Sequence, residues 1–230
     1  MNRAKRVLGW IIGIIAVLAM IGCAMFSMGF FVQQDIKEVE MYPMPFGSFY
    51  TGKLVDGIKN GHGSIIYSNG DRYTGDFVNG EYHGSGSFES AEGWKINATF
   101  SHGLPNGNGL LELGNGNVFE GYFDAATIEG EGVFTSYTGW IFDGLWVKGS
   151  PTGEGIFTYA DGSVYEGGFE YGVATGPGEY TDAEGWSFKG GFSQGLFEGY
   201  GTLTFAIGES LTGIWTAGAL TELTSMSIPE

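Results

Sequence analysis

Apolar and polar positions follow two different patterns along the 230-residue chain. Val7 to Val32, VLGWIIGIIAVLAMIGCAMFSMGFFV, contains no charged residue. From Tyr50 onward apolar residues instead alternate with polar ones in short runs punctuated by glycine. The first pattern predicts one membrane-spanning helix. The second predicts many short strands, each with one buried face.

As a helix, 7–32 would reach roughly 39 Å, enough to cross a hydrocarbon core of about 30 Å with tilt. Arg3, Lys5 and Arg6 precede it, and the QQDIKEVE that follows is acidic. The positive-inside rule then places 1–6 in the cytoplasm and everything after Val32 outside. Two other readings of the segment stay open. One is a cleaved secretory signal, although such signals have apolar cores of about 7–15 residues ending at small residues. The other is a lipoprotein, because MIGC ending at Cys23 is similar to a bacterial lipoprotein processing site; Ala24, Met25 and Phe26 continue the apolar run past it. Gly9 and Gly13, and the series Ala19, Cys23, Ser27, would let two such helices approach closely. A homodimer through Gly9 and Gly13 therefore stands beside ordinary membrane-helix composition.

The strand region repeats every 23 residues through seven copies and a truncated eighth, without insertion or deletion. One column reads Tyr50, Tyr73, Ile96, Phe119, Phe142, Tyr165, Phe188, Leu211; two residues on stand Gly52, Gly75, Ala98, Gly121, Gly144, Gly167, Gly190, Gly213. Two further on stand Leu54, Phe77, Phe100, Phe123, Trp146, Phe169, Phe192 and Trp215. Aromatic-x-Gly-x-aromatic has period two, so the three positions share one strand face, and the glycine leaves room for a ring over the backbone. Segments such as GIFTY at 155–159 and GTLTF at 201–205 supply a second strand per copy. Each copy is a hairpin that hides its aromatic face only by stacking on its neighbours.

These residues resemble the MORN (membrane occupation and recognition nexus) repeat, YxGxW–xxGxxxGxG, with GSVYEGGFEYGVATGPG at 162–178 fitting closely. The resemblance implies an all-β, elongated antiparallel β-hairpin solenoid preceded by one transmembrane α-helix. Two strands per copy at about 4.8 Å would make it roughly 75 Å long. The expected divisions are a cytoplasmic 1–6, a transmembrane 7–32, a linker at 33–41, a half-repeat cap at 42–49, repeats at 50–218 and a C-terminal tail at 219–230.

Composition then makes sense. Five columns of seven account for 35 of the 43 glycines. A second period, of 46 residues, is superposed. Even copies carry Trp94, Trp140 and Trp186 just after the last glycine, where odd copies carry Asp71, Asn117, Ser163 and Glu209. Four residues earlier, odd copies have Tyr67, Leu113, Tyr159 and Phe205, and even copies Ser90, Ser136 and Asp182. A tryptophan row could stack on sugars, which makes Trp94, Trp140 and Trp186 candidate ligand-binding residues. The competing reading is compensation, with one large side chain per turn supplied from either side of the glycine.

Catalytic and cofactor chemistry has no visible constellation, so neither an enzyme nor a cofactor is expected. His62, His83 and His102 all read as solvated loop residues outside metal-binding spacing. Glu120, Asp143 and Glu166 form an outward column that could flank a glycosidic bond, but a charged solvated face explains a 23-residue spacing better. Thr135, Thr158, Thr181 and Thr204 read as a structural β-branched ladder.

The formal charge of −16 excludes nucleic acid. All 26 acids and 7 of the 10 bases follow Val32, so the outer part carries −19. The resemblance implies contact with phospholipid head groups, but loops such as DAATIEGEG have the wrong sign for anionic lipid. A basic protein patch fits better. The sequence thus points to a membrane-anchored, extracytoplasmic interaction scaffold.

Overall fold

The computed structural model describes residues 34–229. The helix expected at 7–32, with Gly9, Gly13 and Cys23, lies outside the described residues. Among the described residues no helix is long and apolar enough to cross a membrane.

The described chain is all-β. It comprises β1 (Ile36–Met44), a 3-10 turn at Pro45–Gly47, and β2 (Ser48–Val55), β3 (Ile58–Ile66), β4 (Arg72–Val78), β5 (Glu81–Glu89), β6 (Lys95–Ser101), β7 (Leu104–Glu112) and β8 (Val118–Asp124). It continues through β9 (Thr127–Thr135), β10 (Ile141–Val147), β11 (Ser150–Thr158), β12 (Val164–Glu170), β13 (Val173–Thr181), β14 (Ser187–Ser193), β15 (Leu196–Thr204), β16 (Ser210–Thr216) and β17 (Ala219–Ser227). Two compact units divide at Ile128/Glu129. In the first, β1 to β8 pair antiparallel in sequence order. In the second, β9 to β17 do the same.

Two kinds of turn alternate. Within a copy the loop has two residues, both at positive φ: Asp56 (51°) and Gly57 (77°), Asn79 (51°) and Gly80 (86°), Gln194 (53°) and Gly195 (77°). That is the primed turn whose twist matches a hairpin, and glycine in its second place avoids a Cβ clash. Between copies, Tyr67 to Asp71 close a longer turn: Gly70 N–H donates to Tyr67 O, and Tyr67 N–H to Asp71 O, both at 2.9 Å.

The 46-residue period is written in this longer turn. In odd copies the third residue caps it, as when Asn69 Oδ1 accepts from Asp71 N–H at 3.1 Å. In even copies the first residue does so, as when Ser136 Oγ accepts from Thr138 N–H at 3.2 Å. The odd turns also bind the next turn. Asp71 Oδ1 accepts from Ala91 N–H at 2.9 Å, and Ser163 Oγ from Ala183 N–H at 3.1 Å.

Glycines form a seam across each unit. Gly52, Gly63, Gly75, Gly86, Ala98, Gly109 and Gly121 are successive cross-strand partners in the first. Gly132, Gly144, Gly155, Gly167, Gly178, Gly190, Gly201 and Gly213 are in the second. The first-column ring of each copy lies down on its own glycine pair. Tyr73 covers Gly75 and Gly86, and Phe188 covers Gly190 and Gly201. Ala98 marks the exception, and its copy carries the smaller Ile96 in place of a ring.

Edge-to-face contacts then link successive copies. Tyr165 meets Phe169 of its own copy at 5.2 Å and Phe192 of the next at 4.7 Å. Phe188 repeats this with Phe192 at 5.5 Å and Trp215 at 5.1 Å. Polar atoms of these rings find backbone acceptors: Tyr165 Oη donates to Gly168 O at 3.1 Å, and Trp146 Nε1 to Gly132 O at 2.9 Å. The core of each unit is therefore one layer of rings lying on sheet backbone.

Two expectations are corrected. β1 starts at Ile36, so most of the stretch expected as linker at 33–41 is strand, paired from Ile36↔Val55 onward. Asp35 fixes its start, its N–H donating to Asp56 Oδ1 at 2.7 Å and its carbonyl accepting from Asp56 N–H at 2.9 Å. His62 and His83 are strand residues opposite Asp76 rather than loop residues. The glycines beside them form bulges inside long strands, which look like connections in the sequence. His102 does occupy a turn, at φ 51°.

Candidate functional site

Because the rings occupy one face, the alternate residues of every strand point to the other. In β12 and β13 these include Glu166, which pairs with Ile156 on one side and Glu179 on the other. Glu179 pairs in turn with Lys189, whose Nζ reaches Glu179 Oε2 at 2.9 Å. That contact holds the Lys189 pKa above its ordinary value, first through the hydrogen bond and then through the charge. No ion pair engages Glu154 or Glu166 among the described residues.

Two glycines outside the repeat columns shape this face. Gly168 pairs with Glu154, and Gly191 with Pro177. At the equivalent position β10 carries Leu145 and β16 carries Ile214. With no side chain at Gly168 and Gly191, the strands expose a shallow groove. Glu154, Glu166, Glu179, Lys189, Tyr200 and Thr202 line it. Tyr200 is 61% exposed at one side. The arrangement offers paired carboxylates, an exposed ring and accessible backbone to a flat or extended cationic partner. The sequence reading missed Gly168 and Gly191 because they look like additions to a glycine-rich background. Their signal is that they fall outside every column.

The remaining expected positions are spread out. Glu120 stands opposite Leu110, and Asp143 opposite Val133 and Ile156. The threonines belong to a mixed β-branched ladder: Thr135, Ile141, Thr158, Val164 and Thr181 are successive partners.

The tryptophans stand among the core rings. Trp94 is buried and stacks on Phe88 at 5.1 Å and 20°. Trp140 is nearly parallel to Phe134 at 4.9 Å and to Phe157 at 5.3 Å. Those two rings sit on the strands either side of Phe142, two strand spacings apart, so the indole lies between them. Trp186 meets Tyr180 at 5.1 Å and Phe197 at 6.4 Å. In odd turns Tyr159 fills the equivalent space, 4.6 Å from Phe157 and 5.9 Å from Tyr180.

Hairpins of constant length, rings on glycine pairs and alternating turns define a β-hairpin repeat protein. The chain belongs to the MORN repeat family, whose profile matches 50–72, 73–95, 98–118, 142–164, 165–187 and 188–210. No curated protein matches it. Among solved structures it is similar to the TCP domain of Sas-4 from Drosophila melanogaster in complex with a proline-rich motif of Ana2. That match has 9% identity and a TM-score of 0.38, covering 84% of this chain and 93% of that one. It is also similar to the TCP10 domain of CPAP from Danio rerio, at 12% identity and a TM-score of 0.34, covering 84% and 99%. At these values the likeness carries no functional argument.

Proposed function

We propose that this MORN repeat protein is a non-catalytic interaction scaffold, held at the membrane by 7–32 with its repeats on the extracytoplasmic side. The observation that carries the interaction role is the outward face of the second unit. There Glu154, Glu166 and Glu179 crowd a groove that contains a single cation, Lys189, already paired. Like charges side by side on adjacent strands are unfavourable in isolation. A partner bearing lysine or arginine relieves that repulsion, so the face selects a basic protein surface.

The uncharged length of 7–32 and its basic N-terminal flank support the anchor and its orientation. Protease added to intact cells or spheroplasts should digest the repeats; complete protection would reverse the orientation. Zero-length carbodiimide crosslinking on native membranes, which joins carboxylates to lysines, should link Glu154 or Glu166 to a partner lysine. The yield should fall as salt is raised. Recognition of carbohydrate by Trp94, Trp140 and Trp186 is the weaker reading, because Trp140 has a ring against each of its faces.

A further inference from the structure

The 46-residue period runs back past the first tryptophan. Below Trp186, Trp140 and Trp94 the next position in the series is 48, and it carries serine. The register there is that of the later copies. Tyr42↔Tyr50 repeats Ile65↔Tyr73, and the pair Met44↔Ser48 stands where Tyr67 and Asp71 close the next turn. The two turns also stack, since a Cβ on Gly47 would stand 3.5 Å from Ser68 Cβ. Two periods back from Phe134 and Phe157, the rings that hold Trp140, stand Tyr42 and Ile65. The backbone thus builds the place of an indole and the sequence does not fill it.

That place is open. A pocket of about 430 Å³ lies between the two turns, with Met44, Phe46, Ser48, Lys59, Ile65 and Tyr67 in its wall. Small-molecule sites ordinarily measure about 300–1,000 Å³. Ser48 is buried, as is Ile65, so the pocket reaches down to the ring layer. Phe46 lines it too and is 85% exposed, where the next six turns carry asparagine, glutamate, threonine or aspartate. An aromatic face is therefore available beside the opening.

Lys59 gives the pocket its sign. Its column otherwise holds Tyr82, Phe197, aliphatic residues and proline, so it is the one charged residue on a line that faces the core. Trp186 meets Phe197 at 6.4 Å, which shows that this column borders the indole's place. The Lys59 Nζ lies 5.3 Å from the Phe77 ring centroid. Among the described residues it has no ion pair, and burial lowers its pKa. Asp71, the acid in the wall, is already engaged: its carboxylate accepts from Asn69 Nδ2 at 2.7 Å and from Ala91 N–H at 2.9 Å. A partly desolvated ammonium without a counter-charge favours an anion beside it.

We propose that this pocket binds a small planar aromatic carboxylate, with its ring in the place of the missing indole and its carboxylate on Lys59 Nζ. The ring regains the stacking that Trp94 and Trp140 supply in their own turns. The carboxylate gives the ammonium a charge-assisted hydrogen bond. The formal −16 of the chain repels an anion only weakly here, because salt screens exposed charges more than about 10 Å away.

The test is isothermal titration calorimetry of the purified full chain with indole-3-acetate, and with tryptamine as its cationic counterpart. Indole-3-acetate should bind one to one with a Kd below about 1 mM, and tryptamine at least tenfold more weakly. Lys59→Met keeps an unbranched stem over Phe77 and removes the charge. It should weaken indole-3-acetate about tenfold or more without lowering the melting temperature. Ser48→Trp supplies the indole from the chain itself, and should abolish binding while raising the melting temperature. No heat from indole-3-acetate on the unaltered chain would overturn the proposal. Equal affinity for tryptamine, undiminished affinity in Lys59→Met, or binding retained by a folded Ser48→Trp would each do the same. Lys59→Met decides the matter if Ser48→Trp does not fold.

Discussion

Tyr165 lies flat over Gly178, so that a Cβ on the glycine would stand 2.7 Å from the ring's Oη and 2.8 Å from its Cε2. The same contact recurs between Tyr50 and Gly63, Tyr73 and Gly86, and Phe188 and Gly201. It turns a small residue into a structural requirement, because the ring supplies the burial that the glycine lacks. Gly178→Ala should therefore cost about 3 kcal/mol, at the upper end of overpacking effects. Gly176→Ala meets nothing within 4 Å and bears only its positive φ of 73°; about 1–2 kcal/mol is expected. Urea unfolding midpoints separate the two.

The primed turns give a stabilising substitution. Tyr171 is 72% exposed and occupies the first turn position at φ 50°. Asparagine tolerates that conformation far better than tyrosine. Tyr171→Asn should raise stability by about 0.5–1 kcal/mol, visible as a higher melting temperature. The reverse change, Asn79→Tyr, should lower it.

Trp140→Ala separates core from ligand roles. Removing an indole from between Phe134 and Phe157 should cost about 3 kcal/mol. Loss of polysaccharide retention by a variant of unchanged stability would instead restore the carbohydrate reading.

High pH should unfold the protein through its tyrosines. Burial raises the pKa of Tyr50 and of Tyr165 to about 12, with a nearby carboxylate, Glu38 or Glu154, adding to the effect. A folded-state pKa above the unfolded value of about 10 contributes stability that is complete below pH 10. It is lost as pH rises from about 10 to about 12. Phenolate absorbance at these positions should appear together with loss of structure. Tyr165→Phe should tolerate alkali better, since Phe142 and Phe188 fill the same column without a hydroxyl.

The repeat, its period and its buried face were legible because glycine and aromatic columns act through local rules of pleat and sterics. That the ring covers its own copy's glycines, rather than a neighbour's, depends on the cross-strand pairing Gly167↔Gly178, which joins residues of different columns. β1 escaped because Ile36 to Met44 lacks the glycine columns and carries a bulge at Met41. The groove escaped because it is made by missing side chains at Gly168 and Gly191. The alternation of tryptophans was visible in the sequence; the packing of Trp140 between two rings required the register.

The proposed scaffold role depends on the acidic outward face of the second unit acting as the contact surface. Carbodiimide crosslinking on native membranes, mapped by mass spectrometry, should place partner lysines against Glu154 or Glu166. The Glu154→Gln/Glu166→Gln variant should lose both those crosslinks and the captured partner while keeping its melting temperature. Capture of the same partner at undiminished yield by that variant, through crosslinks elsewhere and at high salt, would contradict it.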